Sequence, residues 1–103
     1  MSHLQFAVLS ILSGQGRPGR EVREQLRKMG FRRTLAAFYQ LMARLEEAGL
    51  VEGAYQRVEA DGQFLRERRY RITALGQEAW QAAADFYEKA IGAVRRQGGL
   101  ANA

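Results

Sequence analysis

Apolar side chains recur along this chain at two different spacings, and the changes of spacing mark its elements. In "HLQFAVLSILSG", Leu4, Val8, Ile11 and Leu12 fall at helical intervals while Phe6 and Leu9 widen the face, which predicts a short, mostly buried first helix. Gly14, Gly16 and Pro18-Gly19 end it. In "GREVREQLRKMGF", Val22, Leu26 and Met29 form one narrow stripe, with Arg20, Arg23, Arg27 and Lys28 away from it. Gly30 suits a helix terminus, because glycine enters the left-handed conformation without steric cost, and Phe31 is then placed to touch Leu26 across the cap. A third helix is expected over 34–48, with Thr34 as its N-cap. Leu35, Phe38, Leu41, Met42 and Leu45 share its inner face; Ala36, Ala37, Gln40, Ala43 and Arg44 share the outer one, with Tyr39 near the border. Gly49 stops this helix and Leu50 can reach Leu45 by the same capping logic. Two helices joined by "GFRR" make a helix-turn-helix.

From Val51 the period changes to two. Asp61-Gly62 is a turn signal between extended stretches, and Tyr70 and Ile72 alternate with Arg69 and Arg71. This predicts a two-stranded hairpin with a somewhat long tip, whose first strand carries Val51 and Tyr55 as apolar partners. Thr73 can cap a last helix running to about Gln97. Its apolar residues, from Ala79 and Trp80 to Ala93 and Val94, cover an arc of roughly 200°. A helix packed on one body needs about half that width, so this helix has room for two neighbours. The expected architecture is mainly α with a small β-hairpin: a winged helix-turn-helix over 1–72, a long C-terminal dimerisation helix over 73–97, and a flexible tail over 98–103.

Composition narrows the function. At 103 residues the chain is long enough for one domain, and 47% apolar with 26% charged residues is a globular balance. The net charge is +5, and every basic residue except Lys28 and Lys89 is Arg, which suits a polyanionic partner and phosphate in particular. The chain has no Cys, so disulfides and thiolate metal sites are excluded. "FAVLSIL" is far too short to span a bilayer and lacks a basic leader or cleavage signal, so no membrane association is expected and the cytoplasm is the default location. Neither catalysis nor a cofactor is expected. His3 stands alone near the terminus, Glu46 and Glu47 diverge on a helix, and no phosphate-cradling Gly motif, metal cluster or nucleophile–base pair is present.

The same residues point towards duplex DNA. A helix entering the major groove needs small or polar side chains on its outer face. Ala36, Ala37 and Ala43 permit close approach, Gln40 can pair with an adenine edge, and Arg44 can reach guanine or a phosphate. Arg32 and Arg33 precede the helix N-terminus, whose free N–H groups and dipole also favour phosphate; Thr34 and Tyr39 complete the candidate helix contacts. In the hairpin, Arg66, Arg68, Arg69 and Arg71 crowd one strand and Arg57 lies on its partner; alternate residues share a face, so Arg69 and Arg71 point together, opposite Tyr70 and Ile72, as a strip able to follow a phosphate backbone. The plain alternatives are an ordinary surface helix and a solvated strand guarded by charge against edge pairing. The principal competing function is a winged helix used as a protein–protein interaction module without specific DNA binding.

Taken together these motifs resemble the PadR family of bacterial transcription regulators over about Leu4 to Val94. "FYQLMARLEEAGLVE" is similar to that family's recognition-helix pattern through Tyr39, Arg44, Leu45, Glu46, Gly49 and Leu50. "RRYRITALG" resembles the end of the family's wing and the start of its last helix through Arg69, Tyr70, Arg71, Thr73 and Gly76, and "GREV" matches at Gly19, Glu21 and Val22. Leu35-Ala36 and Ala37-Phe38 stand where the family often has Ser-Pro and Thr-Leu, and "DGQFLRER" replaces a compact Gly-Arg-Pro-Arg tip. The resemblance implies a repressor that binds a two-fold operator as a homodimer, with half-sites about 34–36 Å apart or a multiple of a turn. It implies dimerisation through the last helix, with Trp80, Ala83, Ala84, Tyr87, Ile91 and Val94 as candidate interface residues. It also implies a pocket for a small aromatic effector, for which Trp80, Phe86 and Tyr87 are candidates; plain core or dimer packing is the other reading of Trp80.

Overall fold

The structure is a computed structural model that describes residues 1–98; of the tail expected over 98–103, all but Gly98 lies outside the described residues. Four helices and three strands follow in the order α1 (His3–Leu12), β1 (Arg17–Pro18), α2 (Gly19–Lys28), α3 (Leu35–Glu47), β2 (Val51–Ala60), β3 (Gln63–Ile72) and α4 (Ala74–Arg96). Local chemistry sets the helix ends. A capping box starts α1: the Gln5 amide donates to Ser2 Oγ and the Ser2 amide donates to Gln5 Oε1, each at 3.1 Å. Helices α2 and α3 end in matching Schellman motifs. Phe31 N–H donates to Leu26 C=O at 2.9 Å and Leu50 N–H to Leu45 C=O at 3.0 Å, with Gly30 (φ +92°) and Gly49 (φ +74°) taking the left-handed position in each.

The core collects one face from each element. Val8, Leu9 and Leu12 of α1 meet Val22 and Leu26 of α2, Phe38, Met42 and Leu45 of α3, and Val51 and Tyr70 at the base of the hairpin. Three expected apolar members are not in it: Tyr55 of β2 is 61% exposed, because it lies out along the wing beneath the Arg66 and Arg68 guanidiniums, and the other two lie at helix ends. Met29 is 53% exposed and Leu35 is 49% exposed, because each lies at a helix end where its stripe has run past the packed neighbour.

The sheet has three strands in the order β1-β3-β2, all antiparallel, so the hairpin carries an additional edge strand. Arg17 and Pro18 pair with Tyr70 and Arg69; proline is tolerated there because β1 lies at an edge. Strands β2 and β3 are ten residues each and pair continuously from Val51↔Ile72 to Ala60↔Gln63. The expected long tip is therefore a two-residue turn. Asp61 (φ +52°) and Gly62 (φ +77°) both take positive φ, the geometry that matches the natural twist of a tight hairpin.

Helix α4 packs antiparallel to α1. His3 lies beside Tyr87, Phe6 between Trp80 and Tyr87, and Ser10 accepts a 2.8 Å hydrogen bond from the Trp80 indole N–H. At 23 residues α4 is more than twice the length of the ten-residue α1. Residues beyond Tyr87 run past the end of α1. The radius of gyration, 16.7 Å, exceeds the roughly 13 Å of a compact domain this size, because wing and helix both project. Among the described residues, no helix is long and apolar enough to cross a membrane.

Candidate nucleic-acid interface

Helix α3 presents the first half of the candidate site. Thr34 Oγ1 accepts from the Ala37 amide at 3.1 Å, so the cap is in place. With Phe38, Leu41, Met42 and Leu45 buried, the opposite face is left to Ala36, Gln40 and Ala43, all exposed. Tyr39 (48% exposed) flanks that face on the wing side, and Arg44 flanks it on the other. Arg33, Ala37, Gln40 and Arg44 line one groove with Ser2, Leu4 and Gln5 of α1, so four expected contacts converge there. Arg32 and Arg33 also rim a cleft of about 340 Å³ between α2 and the turn, together with Arg20, Arg23 and Arg27, over a floor of Leu26, Phe31 and Phe38. In that rim Arg27 is paired with Glu24 at 2.8 Å. The pairing lowers the Glu24 carboxyl below its ordinary range, chiefly through the hydrogen bond, and raises the Arg27 guanidinium for the same reason.

The wing supplies the second half, and its arginines are divided rather than aligned. Side chains alternate along a strand, so Arg66 and Arg68 share the face of Tyr70, while Arg69 and Arg71 share the opposite one. Between α3 and the first of these faces runs a trough of about 850 Å³, lined by Tyr39, Ala43 and Glu46 from the helix and by Tyr55, Arg66, Arg68 and Tyr70 from the wing. The Arg66 guanidinium lies 4.5 Å from the Tyr55 ring centre, and Arg57 lies 4.0 Å from that of Phe64. Arg68 is bonded to Glu46 instead of facing solvent. Its own burial would depress its pKa, but the hydrogen bond and charge of Glu46 outweigh that and raise it. On the other face, Arg71 pairs with Glu52 at 2.6 Å and Arg69 donates to the Gly16 carbonyl at 2.9 Å; both are exposed. Tyr70 holds the base of the wing, and its burial raises the phenol pKa, with Arg68 acting in the opposite sense.

Several participants were not legible in advance. Glu46, for which the sequence named no partner, reaches across to the wing. Tyr55 and Phe64 are platforms for arginines, a role that shows only once the strand register is known. Glu67 is bonded to Arg20 of α2, which ties the outer half of the wing to the body.

The candidate residues of α4 fall into two groups. Trp80 and Tyr87 are taken up within the chain, against Phe6, Ser10 and His3, with Ala83 and Ala84 half-buried beside them. Phe86 (65% exposed), Ile91 (49%) and Val94 (45%) are open, as is Leu75 (53%). No group of three or more His, Cys, Asp or Glu that could hold a metal ion occurs among the described residues.

Comparison with known proteins gives a consistent result. Residues 8–82 match the family model described as the transcriptional regulator PadR-like family. Among solved structures, the chain is similar to a PadR family transcription regulator from hypervirulent Clostridium difficile R20291. The TM-score is 0.78 at 18% identity, over 92% of this chain and 97% of that one. A PadR-like regulator from Bacillus cereus matches with TM-score 0.73 at 24% identity, over 91% and 89% of the two chains. Bacillus subtilis PadR, solved in complex with operator DNA, matches with TM-score 0.65 at 15% identity, over 81% of this chain and 48% of that one. At these identities the structural likeness speaks for the fold. No curated protein matches the sequence significantly.

Proposed function

The chain belongs to the PadR-like family of transcriptional regulators, and from that premise we propose that it binds duplex DNA as a homodimer, with α3 in the major groove and the wing on the adjacent backbone. The observation that carries this reading is one surface on which the small-residue face of α3 adjoins an arginine-bearing trough. An α-helix with its side chains is about 10–12 Å across, close to the width of the major groove. Ala36 and Ala43 keep α3 at the lower end of that range and leave Gln40 free to reach a base edge. Arg33 at the helix N-terminus and Arg66 on the wing flank that face with positive charge suited to phosphates. The operator complex of the Bacillus subtilis relative supports the same use of this fold.

The wide apolar arc of α4 supports dimerisation. Leu75 and Phe86 lie at one edge of that arc, and Ile91 and Val94 continue the stripe of Trp80 and Tyr87 past α1; all four face water in the single chain, and a second copy of this chain packed across the arc is the occupant that covers them symmetrically. A dimer seated over a promoter excludes other proteins from it, so we take repression as the mode of action. The test is selection of bound duplexes from a random pool, followed by footprinting and by affinity measurement over a range of salt. Two-fold related half-sites about 34–36 Å apart, or a multiple of a turn, are expected, with affinity falling steeply as salt rises. Binding that is absent or indifferent to salt overturns the reading in favour of a protein-interaction module.

A further inference from the structure

Arg68 differs from every other arginine of the wing. Its guanidinium lies 5.1 Å from the Tyr55 ring centre and 5.7 Å from that of Tyr70, while its Nη2 donates to Glu46 Oε1 at the C-terminal end of α3. The two charged side chains are 27% and 24% exposed, so the pair is largely withdrawn from solvent. The backbone is cut to fit it. Gly53 sits on β2 opposite Tyr70, two places along the ladder from the Tyr55↔Arg68 pair and therefore on the same face. A Cβ there would lie 2.5 Å from Glu46 Oε1 and 2.8 Å from Arg68 Nη2. A side chain at position 53 therefore meets both charged ends and makes them shift, so Glu46, Gly53, Tyr55, Arg68 and Tyr70 pack as one cluster between α3 and the wing.

We propose that Glu46 is a specificity-determining residue: it withholds Arg68 from the DNA backbone while tying the wing to α3. The inference rests on the DNA-binding reading above. An unpaired arginine in the trough would add a phosphate contact present on every duplex, whatever its sequence. Specificity is the difference between affinities for right and wrong sites, and a contact that is blind to sequence adds mainly to the wrong ones when it lets the protein settle out of register. Arg66 shares the face with Arg68 but has no ion pair among the described residues and is exposed, so it remains the phosphate ligand of this face. Arg68 is then a positioning residue, and its charge is spent on Glu46.

Affinity for a selected duplex and for random duplex, each measured against salt, tests this on wild type, Arg66→Gln, Arg68→Gln, Glu46→Gln and the Glu46→Gln/Arg68→Gln double variant. Loss of one phosphate contact makes the slope of log affinity against log salt shallower by about 0.9. That loss is expected for Arg66→Gln and not for Arg68→Gln. Glu46→Gln, which keeps volume and removes charge, should steepen the slope by up to about 0.9 and narrow the ratio of selected to random affinity several-fold. Both effects should vanish in the double variant, because they require a freed Arg68. A shallower slope for Arg68→Gln, an unchanged slope for Glu46→Gln, or a steepening that persists in the double variant overturns the inference alone. A wild type without salt-dependent duplex binding overturns the DNA reading and this inference with it.

Discussion

Replacing Ile91 by glutamate probes the seam on which the functional reading depends. Ile91 is 49% exposed and lies four residues past Tyr87, where α4 has already left the end of α1. The subunit itself loses little by the change. Covering a large apolar side chain completely gains about 1.5–3 kcal/mol. The open fractions of Phe86 (65%), Ile91 (49%) and Val94 (45%) then amount to about 4 kcal/mol per subunit. A symmetric pair gains roughly 8 kcal/mol, of the same order as the 4–15 kcal/mol cost of association. Leu75 and the alanines between must supply the remainder, so the margin is modest and a single substitution can remove it. Ile91→Glu acts twice in the dimer. It forfeits about 1 kcal/mol of burial per subunit and places an unpaired charge in each half of the seam, at several kcal/mol apiece. The sum exceeds about 4 kcal/mol, three decades in dissociation constant. Sedimentation velocity across micromolar concentrations should show a dimer for wild type and a monomer for Ile91→Glu, with matching circular dichroism melts. Gln81→Glu, on the polar arc, serves as the control and should stay dimeric. An Ile91→Glu protein that sediments as wild type does would refute the placement of this seam.

Three further outcomes are expected. Gln40→Ala should change base preference at one position of the selected site, by about 1–3 kcal/mol if the amide pairs bidentately with adenine; an unaltered selection profile would remove Gln40 from the reading face. Gly76→Ala should destabilise the fold by about 3 kcal/mol in urea unfolding, because the added methyl overlaps the Leu50 carbonyl oxygen and lies 2.8 Å from Ile72 Cγ1. An unshifted unfolding midpoint would mean that α4 stands off from the α3–β2 turn. Tyr70 has its folded-state pKa raised by burial, so its contribution to stability is complete below about pH 10 and is lost as pH rises through the folded value. Tyr70→Phe should therefore delete a late step from the alkaline phenolate titration, and a titration identical to wild type would contradict that burial.

What could be read from the sequence was the chemistry that acts over a few residues. Gly30 with Phe31 and Gly49 with Leu50 announced both Schellman ends, Thr34 and Thr73 announced two caps, and Asp61-Gly62 announced the turn. The same stretches misled where an outcome depended on a distant partner. Strand β1 is two residues long and has no alternation to detect; it exists because Tyr70 and Arg69 present free backbone groups beside it. The tip looked long because Phe64 and Leu65 did not continue the simple alternation of Tyr70 and Ile72, yet both remain exposed in a regular ladder. Spacing assigned Arg69 and Arg71 to one face of the wing, as the register has them, but it could not name the partners of the wing arginines. Glu46 for Arg68 and Glu52 for Arg71 come from elements 22 and 19 residues away.

The wide apolar arc of α4 and the close fit of its first turn together assign separate tasks to the two ends of that helix. At its start, the Thr73 amide donates to the Leu50 carbonyl at 3.1 Å and the Thr73 hydroxyl donates to the Gly49 carbonyl at 2.6 Å. Gly76 admits the Leu50 carbonyl where any side chain would block it. The end of α3 is thus fixed to the beginning of α4 by backbone groups that have little freedom to yield. At its far end, α4 extends beyond α1 with Ile91 and Val94 uncovered. A rotation at the far end must therefore carry α3 with it. In the proposed dimer, the separation of two recognition helices is then set by the α4 seam, whereas the grip on each half-site is assigned to the trough and to the charge that Glu46 takes out of it.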